Sequence, residues 1–192
     1  MITYTSGENK KIISLRIQRI NEETVEKFEK AISDAHQINQ PIMPVLIDST
    51  GGCAYSLLSI IEMIKKSEIK IATIVESRAL SSGAVLFTCG HQNYRYISEN
   101  GIVIIHDVRS SNSGKIEDLK ADIEEAERIN NILFEIMDKN CRQEKDYFKK
   151  LVHQNSHADL HLNAEECLKH NIANHIKVPT FKIKIKAEYE LE

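Results

Sequence analysis

Pro44-Val45-Leu46-Ile47 leads into Asp48-Ser49-Thr50-Gly51-Gly52, and Ala54, Leu57, Leu58, Ile61 and Ile64 follow at helical spacing. A short apolar run, a turn with paired glycines and an amphipathic helix make one strand-to-helix step. The step has neighbours of the same kind. Residues 69–75 are β-rich, and residues 81–89 form a compact apolar stretch consistent with a short buried helix. Upstream, residues 12–17 read as a first strand, and Asn21 reads as the N-cap of a helix carrying Val25, Phe28, Ile32 and Ala35. Downstream, residues 94–97 and 102–106 read as two strands joined at Ser98-Glu99-Asn100-Gly101, a turn-forming cluster. Strands alternating with helices predict an α/β protein with mostly parallel pairing.

The longest periodic stretch comes later. Between residues 115 and 139, Ile116, Leu119, Ile123, Ala126, Ile129, Leu133 and Ile136 recur every three or four positions, separated mostly by Glu, Asp, Lys and Arg. So narrow an apolar stripe needs something to pack on. Asn163 and Glu166 have the spacing of a capping box at the start of another helix. Residues 181–191 alternate apolar and polar, which suggests an added strand. No repeat, low-complexity tract or Pro/Gly linker divides the 192 residues, so they read as a single domain.

Composition removes several function classes. Lys+Arg number 25 against 28 Asp+Glu, and a net charge of −3 argues against a general nucleic-acid binder. No apolar run approaches the roughly 18 residues of a membrane span. Residues 1–11 are polar and contain no hydrophobic targeting core. Cys53, Cys89, Cys141 and Cys167 are scattered, without a CxxC pair or zinc spacing. The expectation is a cytoplasmic, disulfide-free protein. His153, His157 and His161 would align on one helix, but Asn155-Ser156 argues that the helix ends there, and neither a Cys nor a clear carboxylate completes a ligand set. No metal or other cofactor is expected.

Four features bear on chemistry. Gly51-Gly52 lets the backbone approach a ligand and presents bare N–H groups at a helix start; the plainer reading is a tight turn. In Ala79-Leu80-Ser81-Ser82-Gly83-Ala84 a serine stands where a strand turns into a helix, a position that exposes Oγ to substrate or serves simply as an N-cap. His106 ends the apolar run Ile102-Val103-Ile104-Ile105, well placed for a general base or for a satisfied structural histidine. Asp159, in His157-Ala158-Asp159-Leu160-His161, is able to orient an imidazole; alone it is an ordinary loop acid.

Taken in order, Ser49-Thr50-Gly51-Gly52, Ala79-Leu80-Ser81-Ser82-Gly83-Ala84, Tyr94-Arg95-Tyr96 with Ile104-Ile105-His106, and Asp159 before Ala164-Glu165-Glu166 resemble the proteolytic subunit of the Clp protease. The family pattern is S-P-G-G, A-S-M-G-A, R-Y…M-I-H and R-D…S-A-x-E-A. The resemblance implies a crotonase-like α/β fold of repeated β-β-α units, a protruding handle helix over about 115–139 and a C-terminal extension over about 179–192. It implies a serine endopeptidase acting on peptides or unfolded proteins inside an oligomeric chamber. Ser81 falls on the nucleophile, His106 on the general base, Asp159 on the orienting acid, and the N–H groups of Gly52 and Ser82 on the oxyanion hole. It implies heptameric rings of identical subunits, paired through the handle, and an AAA+ unfoldase partner. Thr50 replaces the family's Pro, Ser77 the Gly before the nucleophile turn, and Ser82 the Met. Asp107-Val108 replace Gln-Pro, which sets an extra carboxylate beside the base. Arg109-Ser-Ser-Asn-Ser113 replaces a glycine-rich strand that helps hold extended substrate. About ten residues precede the first strand, fewer than the family's axial loop needs, so unfoldase pairing is expected to be weak or different. A catalytically idle ring subunit or scaffold is the alternative. A crotonase-type acyl-CoA enzyme on the same fold is a further one, set against the lack of carboxylates in the two glycine- and serine-bearing loops.

Overall fold

Lys70–Leu80 forms an 11-residue strand, β3, around which the sheet of this computed structural model is arranged. The structure describes residues 12–154 and 158–180. The expected C-terminal strand and the polar N-terminus lie outside the described residues. Before β3 come β1 (Leu15–Ile17), α1 (Glu22–Gln37), β2 (Ile42–Ser49) and α2 (Ala54–Lys66). After it come α3 (Ser82–Thr88), β4 (Arg95–Ile97), β5 (Ile102–Ile105), α4 (Ile116–Asn140), α5 (Tyr147–Gln154), β6 (Leu160–Leu162), α6 (Ala164–Lys169) and β7 (His175–Ile176).

Among the described residues the main sheet runs β1-β2-β3-β4-β7, all parallel. β3 changes its neighbour part-way. Thr73–Val75 pairs with β4, whereas Arg78–Leu80 pairs with β5, again parallel. The turn cluster at 98–101 therefore makes a step along one side of β3 and not a hairpin. The step coincides with a register shift on the other side, where Ile47 pairs with Val75 but Ser49 pairs with Ala79. Asp48 fills that irregularity, accepting from Ser77 Oγ at 2.7 Å and from Arg78 Nε at 3.1 Å. The short β6 then closes on β5 in antiparallel register. The expectation of a mostly parallel α/β fold holds.

The caps act as their residue types dictate. Asn21 accepts from the Thr24 N–H at 3.0 Å, and Asn163 and Glu166 complete a capping box at α6. α3 is buried along its whole length, and its small residues permit that: a Cβ on Gly83 would stand 3.0 Å from Ser49 Cβ. α4 packs only by its C-terminal half, where Ile129, Leu133, Phe134 and Met137 are buried. Near its N-terminus Ile116 and Ile123 remain 72% and 59% exposed, so the apolar stripe continues past the core that accepts it. No helix among the described residues is long and apolar enough to cross a membrane.

Arg95 is a buried cation whose partners are all neutral. Its guanidinium donates to the carbonyls of Thr88 and Asn140, the last residues of α3 and α4, at 3.2 and 2.9 Å, and to the Asn174 side chain at 3.2 Å. Each helix end carries a partial negative charge, which offsets part of the desolvation cost of the cation. Replacement by Arg95→Met leaves two buried carbonyls without donors. It is expected to lower stability by about 3 kcal/mol, read from urea unfolding followed by circular dichroism.

Candidate active site

Three strand ends meet at one edge of the sheet. β3 ends at Leu80 beside Ile104 of β5, and the Ser81 N–H donates to the Ile104 carbonyl at 2.9 Å. One further residue along β5 is Ile105, and the next is His106, so parallel register delivers His106 to the same edge as Ser81. β6 opposes β5 with Ile105 paired to Leu160, so continuing the antiparallel register sets Asp159 opposite His106. The β2 turn arrives from the other side. A Cβ on Gly51 would lie 2.7 Å from Ser81 Cβ and 3.2 Å from Ser81 Oγ, and only a glycine permits that approach.

Ser81 holds φ 57° and ψ −126°, an unusual conformation for a residue with a Cβ. Such strain costs on the order of 1–3 kcal/mol and has to be held by its surroundings. Here the Ile104 carbonyl takes its N–H, while its own carbonyl accepts from Ala84 and Val85 at 2.8 and 3.3 Å and starts α3. The following residue, Ser82, has no intrahelical partner for its N–H because it opens the helix. Its hydroxyl donates to the Gly52 carbonyl at 3.0 Å, which ties the two loops together.

Gly52 is fixed with equal force. The Ile20 N–H donates to the Gly51 carbonyl at 2.9 Å and the Cys53 N–H to the Ile20 carbonyl at 2.8 Å. This parallel bridge uses the Gly51 carbonyl and the Cys53 N–H and leaves the Gly52 N–H out. With Gly51 N–H donating to Ser49 Oγ at 3.1 Å, the N–H groups of Gly52 and Ser82 both lack an acceptor among the described residues, as does that of Gly83, the next residue of α3. A side chain at Gly52 would drive its Cβ to 2.0 Å from the Ile20 carbonyl oxygen.

Ser81, Ser82, Gly52 and His106 line a cleft of about 550 Å³. Its far wall is α4, with apolar Ile129, Leu133, Phe134 and Met137 deep and polar Asp122 and Glu125 nearer the mouth. The two carboxylates on this wall were not anticipated from the loops alone; helical spacing from the buried stripe would have found them. Glu125 accepts from Tyr55 at 2.8 Å and from Arg128 at 2.6 and 2.8 Å. The Arg128 guanidinium, with help from the Tyr55 hydroxyl, holds the Glu125 carboxyl down at about 2. It is therefore an ionised anchor and not a proton donor.

The expected Ser–His–Asp relay is only partly drawn together. No hydrogen bond joins Ser81 Oγ to His106 among the described residues. His106 Nδ1 meets the Asp107 carbonyl at 2.5 Å. A carbonyl only accepts, so Nδ1 is the donor in this bond, and Nε2 is the nitrogen left to face a substrate. Asp159 instead accepts from Arg109 Nη2 at 2.6 and 2.8 Å. That guanidinium, the leading cause, holds the Asp159 carboxyl below its ordinary range; the His106 ring adds a smaller effect of the same sign.

Asn130 of α4 is the residue that sequence reasoning missed. Its Nδ2 donates to Asp107 Oδ1 at 2.7 Å and its Oδ1 accepts from the Val108 N–H at 2.9 Å. Both bonds grip the segment that follows His106. The Asp107 carboxylate also lies 3.5 Å from His153 Nε2, so this added charge faces α4 and α5. An asparagine on the polar border of an amphipathic helix carries no distinguishing mark in a single sequence. The stretch Arg109–Ser113 forms no strand. His153 lies in the last turn of α5 and His161 on β6, so the histidine series does not share a helix.

A family model described as Clp protease matches residues 4–179. The chain belongs to the Clp protease family. A relative from Cyanophora paradoxa, described as an ATP-dependent Clp protease proteolytic subunit, is 24% identical over 186 residues, covering 90% of this chain and 94% of the relative. The crotonase-like fold expected from the motifs accords with this membership and with the mostly parallel sheet.

Cys53 sits at the cleft mouth as the N-cap of α2, where the backbone N–H of Ser56, ahead of smaller contributions from the Ser56 side chain and the Tyr55 N–H, lowers its thiol. Burial instead pushes Cys89, Cys141 and Cys167 up to about 12. Brief iodoacetamide treatment of the folded protein at pH 8 is expected to add one carbamidomethyl group, at Cys53. The other three should react only after denaturation, as peptide mass mapping will record.

Proposed function

We propose that this protein is a serine endopeptidase that hydrolyses peptides or unfolded proteins in a chamber formed by copies of itself. The observation that carries the reading is the pair of unclaimed amides, Gly52 N–H and Ser82 N–H, flanking a strained serine in a cleft that also holds His106. Family membership supports a peptidase of the Clp type.

In this mechanism Ser81 Oγ attacks the scissile carbonyl carbon while His106 Nε2 takes the hydroxyl proton. The carbonyl oxygen becomes an oxyanion and receives hydrogen bonds from Gly52 and Ser82. Losing one such donor typically costs about 3 kcal/mol in the barrier. The C–N bond then breaks as the imidazolium gives its proton to the leaving amine. Water, deprotonated by the same Nε2, attacks the acyl-serine and frees the acid. Asp159 acts by stabilising the imidazolium, which a neutral carbonyl such as that of Asp107 does less well. The apolar depth lined by Ile129, Leu133 and Phe134 would accept an apolar side chain next to the cut bond.

Ring assembly belongs to the same proposal. The exposed Ile116 and Ile123 support pairing of the protruding half of α4 with another copy. A cytoplasmic setting is proposed from the four free cysteines. An ATP-driven unfoldase is the partner that the family suggests; residues 1–11, on which the expectation of weak pairing rests, lie outside the described residues.

A second reading is an idle ring subunit, favoured by the engagement of Asp159 with Arg109 and by the lack of a Ser81–His106 bond. A fluorophosphonate probe separates the two. On wild type it should add once, at Ser81, and Ser81→Ala should show no adduct and at least about a thousandfold loss of peptide hydrolysis. Folded, oligomeric wild-type protein that takes up no probe and cleaves no peptide would establish the idle subunit instead.

A further inference from the structure

Arg109 stands where the glycine-rich strand of the family would begin, and nothing in the mechanism above calls for a cation there. Its guanidinium lines the cleft beside His106 and Ser110. Through one nitrogen, Nη2, it reaches both oxygens of Asp159. Backbone register sets Asp159 opposite His106, three residues before Arg109 on the β5 side. The carboxylate thus has at least three cationic or potentially cationic neighbours, Arg109, His106 and His161, and among them its hydrogen bonds go to the guanidinium. His106 Nδ1 meanwhile makes do with the Asp107 carbonyl, which Asn130 holds through the Asp107 and Val108 groups.

We propose that Arg109 is a positioning residue of negative sense: it withholds Asp159 from His106, and the site is fully activated when Arg109 lets the carboxylate go. The inference rests on the triad assignment of the preceding subsection. The change is an exchange of hydrogen bonds alone. Asp159 leaves Arg109 Nη2 and accepts from Nδ1–H of His106, displacing the Asp107 carbonyl, and no proton crosses. Two features make the exchange inexpensive. The pair is open to water, with the Arg109 side chain 70% and the Asp159 side chain 36% exposed, so its strength is that of a surface ion pair. The β5–β6 ladder ends at Ile105–Leu160, the residues next to His106 and Asp159, so the ladder keeps the two backbones close and the movement is mainly one of side-chain torsions. The Asp107 carboxylate does not compete for the vacated position, because it faces Asn130 Nδ2 and His153 Nε2. His161, whose ring adds the smallest lowering effect on the Asp159 carboxyl, sits on the same ladder.

The test uses full-length protein with Arg109→Gln, Asp159→Asn and the double variant, with two readouts. The first is the rate of fluorophosphonate labelling at Ser81. Arg109→Gln is expected to label about three to five times faster than wild type, the scale on which exposed ion pairs act. The gain must vanish in the Asp159→Asn background, since Arg109 acts only through that carboxylate. The second readout is independent of activity. Crystal structures should show Asp159 on Arg109 in wild type and on His106 Nδ1 in Arg109→Gln. Where wild type labels, equal or slower labelling of Arg109→Gln or a gain that survives Asp159→Asn overturns the proposal; a carboxylate that stays away from His106 when Arg109 is removed overturns it whether or not the protein labels. If neither protein labels yet the carboxylate still moves to His106, the positioning role stands and the peptidase reading falls. Labelling of wild type with no movement of the carboxylate leaves the peptidase reading standing and overturns the positioning role.

Discussion

The structure depends on the change of neighbour along β3. A strand that kept one partner along its length would hold β4 and β5 apart from each other's places, and no single edge would collect Ser81 and His106. The change needs room on the opposite side, and Asp48 supplies it by filling the register shift between Ile47 and Ser49 with bonds to Ser77 and Arg78. Hydrogen bonding to Ser77, ahead of Arg78, lowers the Asp48 carboxyl and keeps it charged in that role. From there, ladder geometry does the rest. Parallel register carries His106 beside Ser81, antiparallel register carries Asp159 across from His106, and the Ile20–Gly52 bridge carries the glycine turn in from the far side.

The electrostatics of the cleft follow from how each polar group is satisfied. Backbone amides are spent wherever the ladder or α3 can use them, and those of Gly52 and Ser82 are left over beside Ser81. Carboxylates are spent too: Glu125 on Tyr55 and Arg128, Asp107 on Asn130 and His153, Asp159 on Arg109. The imidazole then takes the nearest neutral acceptor. Its Nδ1 donates to the Asp107 carbonyl, while the Asp159 carboxylate is hydrogen-bonded to Arg109. A site of this kind is assembled in its backbone and adjustable in its side chains, because ladder bonds act together whereas exposed ion pairs exchange one at a time.

Much of this was legible in the residues. The strand-to-helix steps, the capping residues Asn21 and Asn163, the buried helix after Ser81 and the long helix near 115–139 all follow from periodicity and local hydrogen-bonding preference, which act within a few residues. The helix is Ile116–Asn140, within a residue or so of its expected ends. The motif order, set beside that of a family, marked the same loops that meet in the cleft. Less was legible where the partner is distant in sequence. α5 was not anticipated, since its eight residues are short and it is anchored by Asp138 accepting from the Phe148 N–H at 3.0 Å. The turn at 98–101 was read without its consequence, because a turn sequence does not say whether the next strand returns beside the last or steps onward along a third.

Local sequence patterns were enough for the α/β class, the family and the loops that bring Gly52, Ser81, Ser82 and His106 to the cleft, because these depend on neighbouring side chains and on motifs kept in order. Tertiary structure alone decided how those residues are paired. That Asp159 binds Arg109, that Asn130 grips the peptide after His106, and that Gly52 and Ser82 keep unclaimed amides beside Ser81 are outcomes of competition among groups brought together by the sheet. Each contest is settled by distance and acceptor charge at the meeting point, and a linear sequence holds neither quantity.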